Sequence, residues 1–271
     1  MPSIEANGHS LFYEDASSGA PVLFIHGFGG NLLGWGPVIG DMRQTFRCIA
    51  YDQRDSGRSA QATAAYGIRD MADDAASLVQ ALSLGPCHVV GFSMGGAVAQ
   101  ELAINYPDLV RSVALIATYT KGDARGSDNL RSWARIRETF ERQSYFHAVY
   151  PWLLTFREYE WPGFVEQSIQ RAVESPYPQD QAAYLRQMEA TLAHNAEDRL
   201  GRIAAPTLVL VGEEDILAPL RFSRKLASSI PNARLMVLPE VGHALLWVKP
   251  QQVSRALQGF LLSLDEETDQ D

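Results

Sequence analysis

Three stretches of the chain, "PVLFIHG" (21–27), "FRCIAYD" (46–52) and "CHVVGFS" (87–93), are apolar at nearly every position rather than at every second one. Strands with apolar residues on both faces belong inside a layered structure, where helices cover a parallel sheet from above and below. Three more such runs follow, "VRSVALIA" (110–117), "PTLVLVG" (206–212) and "ARLMVLP" (233–239). Helical segments separate them. Residues 69–84, for example, place Met71, Ala75, Leu78, Val79 and Leu82 at helical spacing. Residues 3–15 read instead as a hairpin around Asn7-Gly8, a strong turn dipeptide. Eight strands in this rhythm predict an α/β protein with a mostly parallel eight-stranded sheet flanked by helices.

The rhythm breaks once. Residues 119–200 contain no convincing strand, yet hold half of the aromatic residues in under a third of the length. That density fits a helical cap inserted into a core of residues 1–118 and 201–271. In it the aromatics either line a site or only fill the space between helices. Trp35, outside the insertion, and Tyr145, Trp152 and Trp161 within it are the candidate lining residues. In "LRSWARIRETFER" (130–142), Trp133, Ile136 and Phe140 form one helical face. Arg131, Arg135, Glu138 and Arg142 form the other, expected to be solvated and salt-bridged rather than a carboxylate receptor.

Charge narrows the range of partners. A net charge of -9 argues against nucleic acid or an anionic membrane surface. Part of it sits in Asp265, Glu266, Glu267, Asp269 and Asp271, expected to be a solvated tail. No basic-then-apolar leader opens the sequence, and no run approaches the roughly 20 apolar residues that span a bilayer. The cytoplasm is the default expectation, with a monomer or homodimer as the assembly. Cys48 and Cys87 form no metal or redox motif and read as buried strand residues.

Gly91-Phe92-Ser93-Met94-Gly95 matches G-x-S-x-G. Chance alone supplies about 0.1 such matches in a chain of this length, so position must carry the argument. The match ends one apolar strand and opens "MGGAVAQELAINYP", a helix that stops before Pro107. So sharp a strand-to-helix turn strains the serine backbone and lifts its hydroxyl clear of the sheet. Glycines two residues to either side leave room for the crowded chain. Ser93 is the candidate nucleophile.

A serine hydroxyl needs a base. Of six histidines, His243 in "LPEVGHALLW" follows a strand end in a glycine-containing loop and is the candidate. The orienting acid should lie at another strand end, where "LVLVGEEDILAP" offers Glu213, Glu214 and Asp215. Asp215 sits deepest in that loop and is favoured, with Glu214 next. His9 and His88 lie in or beside strands. His147 and His194 lie in the insertion and are expected to be ordinary. A tetrahedral intermediate needs two N–H donors. Met94, after the nucleophile, supplies one, and Phe28 in "HGFGGN" the other. His26 is expected to brace that loop by hydrogen bonding.

"HGFGG", "DQRDSGRS", "GFSMGG", "PTLVLVGEED" and "VGH", in this order and spacing, resemble the α/β-hydrolase family over essentially the whole chain. The resemblance implies a Ser93–His243–Asp215 triad, oxyanion amides from Phe28 and Met94, and neither metal nor organic cofactor. It also implies a strand between those carrying Cys48 and Cys87, which argues against a disulfide. The serine nucleophile excludes the aspartate-based epoxide-hydrolase and haloalkane-dehalogenase branches. The opening, length and lid are similar to 3-oxoadipate enol-lactonases and small bacterial carboxylesterases. "DQRDSGRS" carries Asp55 where glycine is usual, a departure shared with some polyketide methylesterases. Carbon–carbon hydrolases of the family carry tryptophan after the histidine, where this chain has Ala244. The expected activity is hydrolysis of a small carboxylic ester or lactone. A carbon–carbon hydrolase acting on a vinylogous diketone, a polyketide methylesterase and a non-catalytic ligand receptor are the alternatives.

Overall fold

A computed structural model describes the backbone of residues 2–268 and the side chains through residue 264. The acidic run from Asp265 to Asp271, expected to be a solvated tail, lies outside the described side chains. The hairpin pairs β1 (Ser3–Ala6) with β2 (His9–Ala16), and Asn7 and Gly8 both take the left-handed φ of its tight turn. β3 (Ala20–Ile25), β4 (Phe46–Tyr51), β5 (Cys87–Phe92), β6 (Val110–Ile116), β7 (Thr207–Gly212) and β8 (Ala233–Leu238) complete one sheet in the order β1-β2-β4-β3-β5-β6-β7-β8. Beyond β2 every pairing except β2–β4 is parallel.

β5 and β7 are buried at every residue. They are therefore the strands whose sequences can be apolar throughout. β8 is no less apolar in sequence, but it pairs only with β7, and Leu235, Met236 and Val237 are exposed. Cys48 on β4 and Cys87 on β5 are separated by β3, and both are buried free thiols. Burial pushes each thiol up to about 12.

Helices close both faces. α2 (Ile68–Ala81) and α3 (Met94–Asn105) pack on one side with Leu23, Ile25, Val89 and Val113. α1 (Gly36–Met42) and α11 (Pro250–Thr268) cover the other, over Val22, Phe24 and Val90. Between β6 and β7 the chain leaves the sheet for α4 (Ala124–Thr139), α5 (Arg142–Leu153), α6 (Phe156–Glu160), α7 (Phe164–Val173) and α8 (Gln181–Ala193). Asp123 and Asp180 cap α4 and α8, and Thr155 and Glu158 form a capping box on α6. The neck of this insertion is a single antiparallel bridge, Lys121 to Asn195, with the Ala196 N–H donating to the Thr120 carbonyl at 2.9 Å. Trp133, Tyr145, Tyr184 and Met188 form an apolar core of its own.

α9 (Leu220–Ser229) and the short α10 (Leu245–Val248) follow β7 and β8. One helical assignment differs from the sequence reading. α4 ends at Thr139 and α5 starts at Arg142, so the face drawn through residue 142 is broken. Phe140, which the helical spacing places on one face with Trp133 and Ile136, is 61% exposed at that break.

Candidate active site

Ser93 has φ 54° and ψ −121°, the strained conformation expected between β5 and α3. The surrounding glycines show why the turn admits nothing larger. A Cβ on Gly91 would meet the Gly95 carbonyl oxygen at 2.3 Å, and one on Gly95 would meet that of Ile25 at 2.1 Å. One on Gly96 would strike Thr118 at 2.6 Å. The Ser93 N–H donates to the Ile116 carbonyl at 2.9 Å, and Thr118 Oγ1 donates to the Ser93 carbonyl at 2.7 Å. The backbone is thus tied to β6 while the hydroxyl stays open to a cavity.

His243 reaches this hydroxyl from the loop after β8, with Nε2 3.1 Å from Ser93 Oγ. Its Nδ1 lies 2.8 Å from Asp215 Oδ2. The other carboxylate oxygen, Oδ1, accepts the Leu217 and Ala218 N–H groups at 2.9 and 2.8 Å. Asp215 is 3% exposed and held on both oxygens, so it orients the imidazole with little freedom of its own. Glu214, the second choice for the acid, instead pairs with Arg157 at 2.5 Å. The histidine loop is held from two sides. The Glu214 N–H donates to the Val241 carbonyl at 3.1 Å, and the Ala244 N–H to that of Leu153 at the end of α5. Gly212 lies so close beneath that a Cβ there would be 2.3 Å from the Val241 oxygen.

Phe28 and Met94 border the same cavity, and among the described residues neither backbone N–H donates to a protein atom. Three nearby amides are committed. The Gly29 N–H donates to Gln187 Oε1 at 2.9 Å, Gly30 N–H to the Gly27 carbonyl, and Gly96 N–H to the Ser93 carbonyl. Met94 is also the first residue of α3, where the helix dipole favours negative charge.

His26 braces the loop by the expected hydrogen bond, a long one, and by packing. Its Nδ1 is 3.4 Å from the Gly27 carbonyl, and Nε2 has no partner among the described residues. The ring is also clamped between glycines, since a Cβ on Gly30 or Gly34 would fall 2.0 or 2.2 Å from it. Burial, with a smaller contribution from His243, lowers its pKa to about 4, so the ring is neutral.

The cavity over Ser93 measures about 320 Å³, at the small end of the range for organic ligands. Of the four aromatics expected to line it, only Tyr145 does. Trp35 is wholly buried beneath the site, against Phe24, His26 and Phe92. Trp152 lies behind Trp133, under the Arg125 guanidinium. Trp161 is 44% exposed and packs on Phe164. The wall is formed by Phe28, Trp133, Phe146, Tyr184 and Leu217 among others, together with Arg137 and Arg142. Arg142 therefore does not share the solvent face with Arg131 and Arg135, because the break after α4 turns it inward. His194 stays out of the cavity, 3.7 Å from Glu101, and burial lowers its pKa to about 4.

Asp55, the departure from the usual glycine, has φ 64°, the backbone region that glycine occupies without strain. Its buried carboxylate forms a two-pronged pair with Arg186 of α8 at 2.9 and 2.7 Å. Among the described residues, no cluster of three His, Cys, Asp or Glu side chains is placed to hold a metal, and no helix is long and apolar enough to cross a membrane.

A serine poised at a sharp strand–helix turn over a parallel sheet, with an imidazole and a carboxylate behind it, defines a hydrolase-type site. The chain belongs to the α/β-hydrolase fold family, whose model matches residues 20–250. Two curated relatives, provisionally named, are similar over nearly their full lengths. A non-heme bromoperoxidase of Mycobacterium tuberculosis is 30% identical, over 94% of this chain and 98% of the relative. A carbamate hydrolase of Variovorax paradoxus is 31% identical, over 93% and 96%. A solved thermophilic esterase from Thermogutta terrifontis superposes with a TM-score of 0.85 at 27% identity, covering 97% of this chain and 99% of the esterase.

Proposed function

We propose that this hydrolase cleaves small carboxylic esters or lactones through an acyl-enzyme on Ser93. The observation that carries the reading is the continuous relay from Ser93 Oγ to His243 Nε2 at 3.1 Å, and from His243 Nδ1 to Asp215 at 2.8 Å. His243 takes the Ser93 proton as Oγ attacks the carbonyl carbon. The Phe28 and Met94 amides, left unspent by the protein, hold the oxyanion. The imidazolium then returns its proton to the departing alkoxide, while Asp215 fixes the tautomer and offsets the positive charge. Water, deprotonated by His243, attacks the acyl-enzyme and releases the acid. In a lactone the leaving oxygen remains tethered to the acyl group, and a single hydroxy acid is the product.

The experiment is hydrolysis of p-nitrophenyl acetate by wild-type protein and by Ser93→Ala. The substitution is expected to lower kcat by about 10⁴ to 10⁶. Turnover near the wild-type rate would refute the reading.

A further inference from the structure

Arg137 and Arg142 both border the cavity, and among the described residues neither has a carboxylate partner. Their hydrogen bonds are few. Arg137 Nη2 donates to the Gln179 carbonyl, and Arg142 Nη2 donates to the Ala172 carbonyl at 2.9 Å. A guanidinium has five N–H donors, so most of both forks is unspent. The two cations also oppose each other. Burial and the nearby Arg137 charge hold the Arg142 guanidinium below the ordinary arginine value.

Their position relates to the chemistry. The Arg137 guanidinium lies 4.6 Å over the Tyr184 ring, and that ring is 4.6 Å from the ring of Phe28. Phe28 and Ser93 both border the cavity. An aromatic wall therefore runs from the candidate oxyanion site to the paired arginines. The carboxylate on the lining, Asp123, is already engaged by Arg221 and by the Gly126 N–H at the start of α4. The interior of this cavity is thus cationic although the chain as a whole carries -9. Two half-buried like charges with no protein carboxylate between them repel, and an anion placed there relieves the repulsion while accepting from donors that protein groups leave free.

We propose that Arg137 and Arg142 form a receptor for a carboxylate carried by the substrate, remote from the bond that is cleaved. The inference rests on the serine-hydrolase reading and narrows it to esters or lactones that bear a free acid group.

Two measurements test it. The first is calorimetric titration of adipate into the Ser93→Ala protein and into the same protein carrying Arg137→Gln and Arg142→Gln. Binding is expected in the former, weakened about tenfold or more in the latter. The second compares kcat/KM for matched esters in a pH-stat. Monomethyl adipate against methyl hexanoate places the acid on the acyl side. The butyrate ester of 4-hydroxybutanoate against butyl butyrate places it on the alcohol side. The acid member of at least one pair should be preferred, and its acid-to-neutral ratio should fall about tenfold or more in Arg137→Gln/Arg142→Gln. Absence of adipate binding, or binding and ratios indifferent to the arginines, would overturn the receptor. Ser93-dependent cleavage of neutral esters without adipate binding would remove the receptor and leave the hydrolase. Adipate binding without cleavage of any ester would do the reverse.

Discussion

Gln187, wholly buried on α8, accepts the Gly29 N–H on its side-chain carbonyl at 2.9 Å. Its amide nitrogen donates to Ser56 Oγ at 3.1 Å. One residue of the insertion therefore fixes the peptide that follows Phe28. The insertion thus holds the peptide next to a candidate oxyanion donor as well as lining the cavity. Gln187 Oε1 also accepts from Gln179 Nε2 at 3.3 Å, and Gln187→Met keeps the length of the side chain while removing all three bonds. It should lower kcat for a neutral ester by about tenfold to a hundredfold with little change in KM, less than outright loss of an oxyanion donor. A rise in KM at unchanged kcat would mean that Gln187 shapes the pocket and leaves the donor undisturbed.

Asp55 and Arg186 make a further tie between insertion and core, and their two halves are unequal. The Asp55 carboxylate is wholly buried, whereas the Arg186 side chain retains 22% exposure. Arg186→Ala strands a buried charge and should cost about 3 kcal/mol. Asp55→Gly removes that charge, leaves the arginine able to reach water, and relaxes a φ of 64°. It should therefore destabilise less than Arg186→Ala. Urea unfolding of the two variants decides the order, and the reverse order would contradict this account of the pair.

His26 and His194 make stability depend on pH. Both are buried neutral, with pKa lowered to about 4, against 6.5 for an unconstrained imidazole. Between these values the unfolded chain binds protons that the folded one refuses. Stability is fully present above about pH 6.5 and declines by a few kcal/mol in total as pH falls toward 4. His194→Gln should flatten the decline measured by urea midpoints between pH 7 and 4. A slope unchanged by the substitution would show that His194 titrates alike in both states.

The parts that could be read from sequence are those where local chemistry leaves one solution. Ser93 needs glycines at 91 and 95 because the backbone passes within 2.1–2.3 Å of where their Cβ atoms would lie. Asp215 and His243 were legible as strand-end residues of a parallel sheet, which places them on the same side as Ser93. The cavity wall was less legible because aromatic character does not record which way a ring faces. Trp35 and Trp133 are equally buried types, yet one lies beneath the site and the other lines it. Arg142 departs from the helical pattern for a related reason. Carrying one helical phase across Phe140 and Glu141 puts it on the solvent side, and the break between α4 and α5 carries no strong sequence signal. Gln187 is a mid-helix glutamine whose role depends on a loop 158 positions earlier.

The proposed acyl-enzyme requires that His243 and the strained turn make Ser93 nucleophilic. The direct measurement is intact-mass and peptide mapping after treatment with a fluorophosphonate ester, which captures an activated serine. One adduct per chain, on Ser93, is expected to form with parallel loss of ester hydrolysis, and it should be strongly slowed in His243→Ala. Absence of an adduct, or modification at another residue while hydrolysis continues, would contradict it.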